Sequence, residues 1–346
     1  MVTTDTTELK ALALEAGLDA VGIAPAEPFE GTRRDLEQRK ADGLHAGMGF
    51  TYRNPSASSD PSHALPGARA IVVGALAYPT TPEPRPPDAG PLGRVAAYAR
   101  DDRYAALRIA LRTVARRLKA DGWRARVLVD DNALVDREAA HRAGIGWYGK
   151  SANLLLPGRG SWFVLGSVVT TAPLAPDEGE VADGCGSCRR CLDGCPTGAI
   201  VAPGVVDARL CLSWLLQQAG TFPIALRGAL GDRIYGCDDC QEVCPPNRRA
   251  GEQAPSSTAP TWVALLELLD ADDSELLERH GRWYIAQREP RWLRRNALVV
   301  LGNTAAIDDL DAAAAIERYR CGEDEMLAEH ATWAAARIAA RAAVAS

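Results

Sequence analysis

Apolar and polar positions in the first half of the chain follow two alternating patterns. The segment Thr7–Ala16 carries its apolar residues on one helical face, and Gly17 stands where that helix would end. Further helices are predicted at Tyr104–Ala120 and Asp136–Ala143, and apolar runs predict strands at Ala20–Ala24, Ala70–Tyr78, Arg126–Val129 and Ser161–Thr170. A proline-rich stretch from Pro79 to Pro91 predicts an extended connection. This alternation predicts an α/β or α+β domain over residues 1–175.

The rest of the chain divides into two further regions. Residues 176–250 are rich in Gly, Pro and Cys and hold few long apolar runs, so we expect something other than a hydrophobic core to hold them together. From Thr261 onward the composition predicts a helical tail, within a third region that spans residues 251–346. There Arg294–Asn303 and Glu329–Ile338 are similar at an offset of 35 residues, which suits HEAT-like repeats. Two amphipathic helices of similar composition would explain this equally well.

Composition and charge narrow the possible classes of function. Of the 346 residues, 47% are hydrophobic and 24% are charged, which is typical of a globular protein with a real core. The net charge of −6 argues against coating nucleic acid by bulk charge, although it permits a local basic patch. The longest apolar runs are too short to span a membrane, and the first residues do not resemble a signal peptide. We therefore expect a cytoplasmic protein with no membrane partner.

The cysteines form the most specific pattern in the sequence. Eight of the nine cysteines lie between Cys185 and Cys244, and each of two runs ends in Cys-Pro after three intervening residues. This spacing is typical of bacterial 4Fe-4S sites, in which the last cysteine of a run binds the other cluster. One predicted cluster has the ligands Cys185, Cys188, Cys191 and Cys244, and the other has Cys195, Cys211, Cys237 and Cys240. Zinc also binds four thiolates, but zinc sites usually pair two CxxC knuckles. Cys321 is left over, and we expect it to be a small core or surface residue.

A glycine-rich stretch at Gly144–Ser151 matches two nucleotide-binding patterns at once, GxGxxG and GxxxxGKS. Both mechanisms require a strand before the loop and a helix after it. Here a polar helical segment precedes the loop, and Pro157 follows too soon for a helix. We therefore expect the glycines to let the backbone approach some other large ligand. The five histidines are scattered, and the D-x-H-x-x-G motif that supplies a lower cobalt ligand in some cobalamin proteins is absent.

Three blocks together make the chain resemble the epoxyqueuosine reductase family. They are CGSCRRCLDGCPTGAI, RIYGCDDCQEVCPPNR and VDDNALVDREAAHRAGIGWYGKSANLLLPGRGSWFVLG, and the similarity runs over at least Asp19–Arg248. The resemblance implies reduction of epoxyqueuosine to queuosine at the tRNA wobble position. It further implies that two 4Fe-4S clusters pass electrons to a base-off cobalamin. The implied fold is α+β, with a nitroreductase-like cobalamin-binding domain, a ferredoxin-like two-cluster domain and the helical tail.

The resemblance also implies roles for particular residues. Asp130 matches the family's acid, which would give a proton to the epoxide oxygen, whereas the residues alone favour capping of the helix near Leu134. Asp131 is the nearest alternative acid. The implied cobalamin contacts are Arg53, Ala96, Asp130, Leu154, Leu165, Ser213, Asp238 and Asp239, with Lys150 and Ser151 in reserve for cofactor or tRNA phosphate.

A basic stretch at Arg279–Arg295 is the candidate contact with tRNA. Its cations are Arg279, Arg282, Arg288, Arg291, Arg294 and Arg295, with Trp283, Tyr284 and Trp292 interleaved and only Glu289 opposing them. Such a stretch suits phosphates and stacked bases, although a solvated helix with core aromatics fits equally well. The expected partners are tRNA carrying epoxyqueuosine and an electron donor of unknown identity, and we expect a monomer.

Three other functions compete with this interpretation. A reductive dehalogenase also combines cobalamin with two clusters, but such enzymes typically carry a twin-arginine export signal, and Arg33-Arg34 is not followed by an apolar segment. A ferredoxin-type electron carrier would bind no corrin. A nucleotide-dependent reductase would have to bind ATP.

Overall fold

The computed structural model of the protein describes residues 4–81, 83–87, 90–177, 181–251 and 259–345. The helices are α1 Thr6–Glu15, α2 Glu30–Ala41, α3 Pro55–Ser58, α4 Pro61–Ala64, α5 Arg103–Ala120, α6 Asp136–Arg142, α7 Arg190–Asp193, α8 Leu212–Gln217, α9 Ile224–Leu230, α10 Asp239–Glu242, α11 Pro245–Gly251, α12 Leu265–Asp270, α13 Asp273–His280, α14 Arg291–Thr304, α15 Leu310–Arg320 and α16 Glu325–Ala345. The strands are β1 Ala20–Pro25, β2 Ala70–Ala77, β3 Leu92–Val95, β4 Ala125–Val129, β5 Trp147–Tyr148, β6 Leu154–Leu155, β7 Phe163–Thr170, β8 Ile200–Ala202, β9 Val205–Val206, β10 Arg233–Tyr235 and β11 Trp262–Ala264. The fold is therefore mixed α+β.

A four-stranded antiparallel sheet organises the first region, in the order β1-β2-β7-β4. The central strand β2 is apolar on both faces because helices cover the sheet on each side. One face packs against α1 and α5, and the opposite face packs against α6. The helices and strands that the sequence predicts in this region are confirmed to within a few residues. Strand β4 forms one edge of the sheet and ends immediately before Asp130.

A smaller three-stranded sheet joins the three regions of the chain. Strand β3 from the first region lies between β10, from the cysteine-rich region, and β11, from the tail. β3 pairs in parallel with β10 and antiparallel with β11. The sequence does not predict this sheet, because its strands are only three or four residues long. The three regions are therefore bound together by backbone hydrogen bonds.

A hydrophobic core does hold part of the cysteine-rich region, contrary to the prediction. Leu212, Phe222 and Ile234 are buried in one cluster with Leu298 and many other side chains of the tail. The prediction fails because these apolar residues are too far apart in the sequence to form a run, yet α8, α9 and β10 converge on α14.

After β11 the tail contains helices α12 to α16, with α14 packed directly on α16. A buried polar joint connects it to the cysteine-rich region. The Arg295 guanidinium, fully buried, donates hydrogen bonds to the carbonyl oxygens of Leu215 and Gly220. Arg227, also fully buried, forms a two-pronged ion pair with Glu329. Within the described ranges, none of the helices has the length and apolar character needed to cross a membrane.

Candidate functional site

The cysteines of the two runs, and Cys211 between them, are half-buried thiols. Their electrostatic effects on one another indicate two neighbourhoods, a first group around Cys244 and a second group around Cys240. Burial raises the pKa of Cys244, and the nearby thiols of Cys185, Cys191 and Cys188 raise it further. Burial likewise raises the pKa of Cys240, and the Cys211 thiol, the Asp238 carboxylate and the thiols of Cys195 and Cys191 raise it further. The last cysteine of each run therefore lies beside thiols of the other run. Cys237, three residues before Cys240, is the remaining predicted ligand of the second group, and it is also half-buried. Cys321 is exposed at the end of α15.

Backbone amides point at several of these thiols. The amide of Ala199 lies 3.3 Å from Sγ of Cys195, and Cys211 receives hydrogen bonds from the backbone amides of Trp214 and Ser213. Such N–H donors stabilise the thiolate form, which is the form that binds iron. The donor set therefore suits iron–sulfur clusters, which depend on thiolate ligands with hydrogen-bonded sulfurs.

The glycine-rich stretch at Gly144–Ser151 folds as the start of a hairpin, in which β5 pairs with β6. A Cβ at Gly146 would lie 2.5 Å from the Leu155 carbonyl oxygen, and one at Gly149 would overlap the Leu155 side chain. These two glycines therefore allow the close approach of β6, and the expectation that they let the backbone approach a large ligand is wrong for both. The loop is followed by β6 and not by a helix, so it lacks the geometry of a phosphate-binding loop.

The same hairpin contacts both groups of cysteines. Nζ of Lys150 donates to the carbonyl oxygens of Gly186 and Cys188, at 2.6 and 2.9 Å. The amide nitrogen of Asn153 lies 4.0 Å from Sγ of Cys240. Lys150, a reserve candidate for phosphate, therefore ties the first cysteine loop to the α/β region. Sequence reasoning did not single out Asn153, which carried no motif signal beyond its place in this block.

A second connection lies at the start of β7. The side chain of Asn247, fully buried, accepts from the Ser161 amide at 2.7 Å and donates to the Gln241 carbonyl at 3.0 Å. The hydroxyl of Ser161 also contacts the Gln241 side chain, at 2.8 Å. Gly160 has φ of +64°, and a Cβ there would overlap Asn247. Because Asn247 belongs to α11, which begins directly after Cys244, this network fixes the position of the last cysteine.

Asp130 differs from its neighbours in having an uncommitted carboxylate. The Asp131 side chain accepts from the Ala133 amide at 2.9 Å, and the Asn132 side chain accepts from the Thr51 amide at 2.7 Å. Asp131 thus closes a local turn before α6. That helix begins after Val135 and has no side-chain cap, so neither Asp130 nor Asp131 performs the helix capping that was the alternative role for Asp130. Among the described residues, no donor is hydrogen-bonded to the Asp130 carboxylate.

The backbone and electrostatics at Asp130 are also unusual. Its φ is +53°, a left-handed conformation that costs energy for any residue with a Cβ and often marks functional sites. Although Asp130 keeps solvent access, the surrounding protein removes part of the water from its carboxylate and raises its pKa. The Arg108 guanidinium opposes this effect, and the Asp131 carboxylate adds to it. Burial also raises the pKa of nearby Asp136, and the Asp130 charge contributes.

Four of the implied cobalamin contacts lie near Tyr98, at the junction of the regions. The Ala97 amide, next to Ala96, donates to Oδ2 of Asp238 at 2.6 Å. Burial raises the pKa of Asp238 to about 6. Ser213 is hydrogen-bonded to Tyr98, whose pKa is raised mainly by burial. Asp239 pairs with Arg233 at 2.6 Å, and its other oxygen lies 3.2 Å from Sγ of Cys237.

Accessibility divides the implied contacts into two sets. Ala96, Leu154 and Asp238 are only 6%, 2% and 4% exposed, so protein covers them on all sides. The residues that keep accessible surface are Arg53, Asp130, Leu165, Ser213 and Asp239. Arg53 is exposed in the loop after α2, and Leu165 lies on β7. Covered residues can contact a ligand only if their neighbours move.

The basic stretch at Arg279–Arg295 does not form the predicted surface. Arg295, Trp283 and Trp292 are buried in the tail core. Arg279 pairs with Glu275, Arg291 pairs with Asp324 at 2.9 Å, and Arg294 pairs with Asp273. Arg282 and Arg288 donate to the backbone carbonyls of Arg100 and Gly281. Carboxylates thus pair with three of these cations, and two of the three aromatics lie in the core. This arrangement favours the alternative of a solvated helix face with core aromatics. Tyr284 alone among the three aromatics is exposed.

Comparison with known proteins places this arrangement in context. Residues 184–247 match the family described as 4Fe-4S double cluster binding domain. Epoxyqueuosine reductase of Bacillus cereus is 34% identical over 85% of this chain and 80% of its own length. That of Xanthomonas campestris pv. campestris is 35% identical over 95% of both chains. A crystal structure of epoxyqueuosine reductase with an epoxyqueuosine-modified tRNA-Tyr stem loop superimposes with a TM-score of 0.86, at 32% identity over 96% of this chain and 89% of that one. The chain therefore belongs to the epoxyqueuosine reductase family.

Proposed function

We propose that this protein reduces epoxyqueuosine in tRNA to queuosine and that Asp130 donates the proton to the epoxide oxygen. Loss of that oxygen as water consumes two electrons and two protons. The observation that carries the role of Asp130 is its uncommitted carboxylate, since Asp131 and Asn132 occupy the local hydrogen-bonding positions. Its raised pKa favours the protonated form that a general acid requires.

The seven cysteines of the two runs, together with Cys211, are the proposed cluster ligands. One cluster is assigned to Cys185, Cys188, Cys191 and Cys244, and the other to Cys195, Cys211, Cys237 and Cys240. The second group lies closer to the proposed cofactor site, because Cys237 contacts Asp239 and the Asp238 charge acts on Cys240. Electrons therefore enter at the first group and leave from the second.

The proposed cofactor is a base-off cobalamin, held between the α/β region and the cysteine-rich region. When bound, it would supply a strongly reducing cobalt centre to the epoxide. The accessible residues Arg53, Leu165, Ser213 and Asp239 are the proposed direct contacts. Ala96, Leu154 and Asp238 would instead support the walls of the site, because they are covered by protein. Asp130 projects from the adjacent edge of the sheet and meets the substrate.

The finer architecture belongs to the same proposal. Residues 1–175 form the nitroreductase-like cobalamin-binding domain, residues 176–250 the ferredoxin-like domain, and residues 251–346 the HEAT-like tail. The repeat is supported by Arg295 and His330, which occupy equivalent positions at the 35-residue offset and are both fully buried at the joint around Arg227. We further propose a cytoplasmic monomer that receives electrons from a donor still to be identified.

The decisive experiment measures nucleosides by mass spectrometry. Cluster-loaded protein, cobalamin and a strong reductant are incubated anaerobically with tRNA that contains epoxyqueuosine. The proposal predicts loss of one oxygen from the modified base, and only when cobalamin is present. Asp130→Asn should abolish this conversion while both clusters and cobalamin stay bound. Asp131→Asn, which keeps an oxygen that can accept from the Ala133 amide, should remain active. An unchanged base with intact clusters would contradict the proposed reaction, and an active Asp130→Asn variant would contradict the role of Asp130.

A further inference from the structure

An open groove lies between α5 and the edge strand β4, and we name it the α5–β4 groove. It has a volume of about 590 Å³ and is lined by Ile109, Arg112, Ala115, Arg116, Lys119, Ala125, Arg126 and Val127. All of these residues come from two elements that meet at the outer edge of the main sheet. The groove plays no part in the cluster or cofactor sites described above.

The charge of the groove is entirely positive. Four of its lining side chains are cations, and none is a carboxylate. Across the described part of the chain, none of these four cations forms an ion pair with a carboxylate. Three arginines of the tail differ in this respect, since Arg291, Arg294 and Arg318 all have carboxylate partners. In a protein with a net charge of −6, an unneutralised basic groove favours an anionic partner.

The spacing of the cations suits an extended polyanion. Arg112, Arg116 and Lys119 follow one another by a helical turn on the exposed face of α5, and a rise of about 1.5 Å per residue spreads them over roughly 10 Å. The outer edge of β4 faces the same groove, so the backbone amides of Ala125 and Val127 have no strand partner on that side. Amides and guanidinium groups are both common phosphate donors.

The row of cations leads to Asp130. Arg108 stands one turn before Arg112 on α5, and its guanidinium donates to the Val129 carbonyl at 3.4 Å. Val129 is the last residue of β4, and Asp130 follows it directly. An RNA whose modified base reaches Asp130 must therefore pass this end of the groove.

We propose that the α5–β4 groove binds the phosphate backbone of the tRNA substrate. This inference rests on the proposed function, since that function brings the wobble nucleotide to Asp130. A docked acidic electron donor would also match the charge, but such a donor must approach the cysteine-rich region, and no residue of that region lines the groove. The groove replaces the stretch at Arg279–Arg295 as the main basic contact.

The test removes two cations from the groove and compares the effect on RNA binding with that of removing two cations elsewhere on the surface. Arg112→Ala/Arg116→Ala is the test variant, and Arg318→Ala/Arg320→Ala is the control, because it removes the same charge from exposed but ion-paired positions. Fluorescence anisotropy measures binding of holoenzyme to the epoxyqueuosine-modified anticodon stem-loop and to its unmodified counterpart. We expect the test variant to bind both RNAs roughly tenfold more weakly, because backbone contacts are independent of sequence. The slope of log K against log salt should become shallower by about 1.5.

Kinetics separate this inference from the proposed function. The test variant should show a raised KM for tRNA with unchanged kcat, whereas the control variant should match the unaltered protein. If the unaltered protein converts epoxyqueuosine and the test variant binds both RNAs equally well, the groove proposal is wrong and the function stands. If RNA binding is unchanged but turnover falls with reduced ferredoxin and not with dithionite, the groove serves an electron donor instead. If both RNAs bind through the groove but no epoxyqueuosine is converted, the groove assignment survives and the proposed function fails.

Discussion

The contact between Gly160 and Asn247 predicts a large difference between two neighbouring glycines. Gly158 and Gly160 both have left-handed φ angles, of +71° and +64°. A Cβ at Gly158 meets nothing within 4 Å, whereas one at Gly160 overlaps the Asn247 side chain and lies 3.0 Å from its Cα. Alanine at either position therefore carries the same backbone penalty, and only Gly160→Ala displaces Asn247.

The magnitude follows from the hydrogen bonds that Asn247 makes. A left-handed alanine costs roughly 1–2 kcal/mol at both positions. Displacing Asn247 breaks its buried contacts with Ser161 and Gln241, and each buried group left unsatisfied costs about 1–3 kcal/mol. We therefore expect Gly160→Ala to be less stable than Gly158→Ala by about 2–3 kcal/mol or more. In a chain of this size, each kcal/mol lowers the melting midpoint by roughly 1.5 °C.

The assay is thermal unfolding of anaerobic holoenzyme, followed by circular dichroism, together with iron content and visible absorbance of the clusters. Gly160→Ala should melt several degrees below Gly158→Ala and lose part of its iron, because Asn247 lies three residues after Cys244. Equal melting midpoints and equal iron contents would refute the reasoning. That result would mean that the joint at Asn247 rearranges without cost.

Three further predictions concern other joints and the substrate surface. Lys150→Met should lower iron content under mild chelation, because it removes both hydrogen bonds to the first cysteine loop, whereas Lys119→Met should not. Burial lowers the pKa of His330 to about 4, so the folded protein holds it neutral while the unfolded chain takes up a proton below about 6.5. Urea titrations should therefore show the free energy of unfolding falling as the pH drops from 6.5 to 4. His330→Gln should reduce the slope of that free energy against pH by an amount that corresponds to at most one proton. Tyr284→Ala should weaken stem-loop binding about fivefold, without changing the melting midpoint, if the exposed ring stacks on a base.

Local patterns carried most of the information that the sequence offered. The strand Ala70–Tyr78 and the helix Tyr104–Ala120 are long periodic segments, and the structure contains both within a residue of their predicted bounds. The cysteine spacing is similarly local, and it identified the double-cluster segment that residues 184–247 match. Such features depend on residues that are close in the sequence, so they can be predicted without knowledge of the tertiary structure.

The features that the sequence could not reveal depend on distant residues. Arg294 pairs with Asp273, and Arg227 pairs with Glu329 across 102 positions of the chain. The number of guanidinium groups in Arg279–Arg295 that lack a carboxylate partner therefore could not be predicted from the charges within that stretch. The role of Lys150 was hidden for the same reason, since its carbonyl partners lie 36 and 38 residues further along.

The architecture also explains why the site requires the whole chain. Among the residues that the structure describes, strand β3 pairs with β10 and β11 and with no strand of the first region. Val95, the last residue of this strand, and Ala99, which follows shortly after it, are buried in the same core as the tail helices. A fragment of residues 1–175 would therefore leave β3 unpaired and expose that apolar surface to water. Because the Ala97 amide and the Asp238 carboxylate meet at this junction, the proposed cofactor site would lose one of its walls. The three regions are thus separate in sequence but share one small sheet, and the proposed cofactor site depends on that junction.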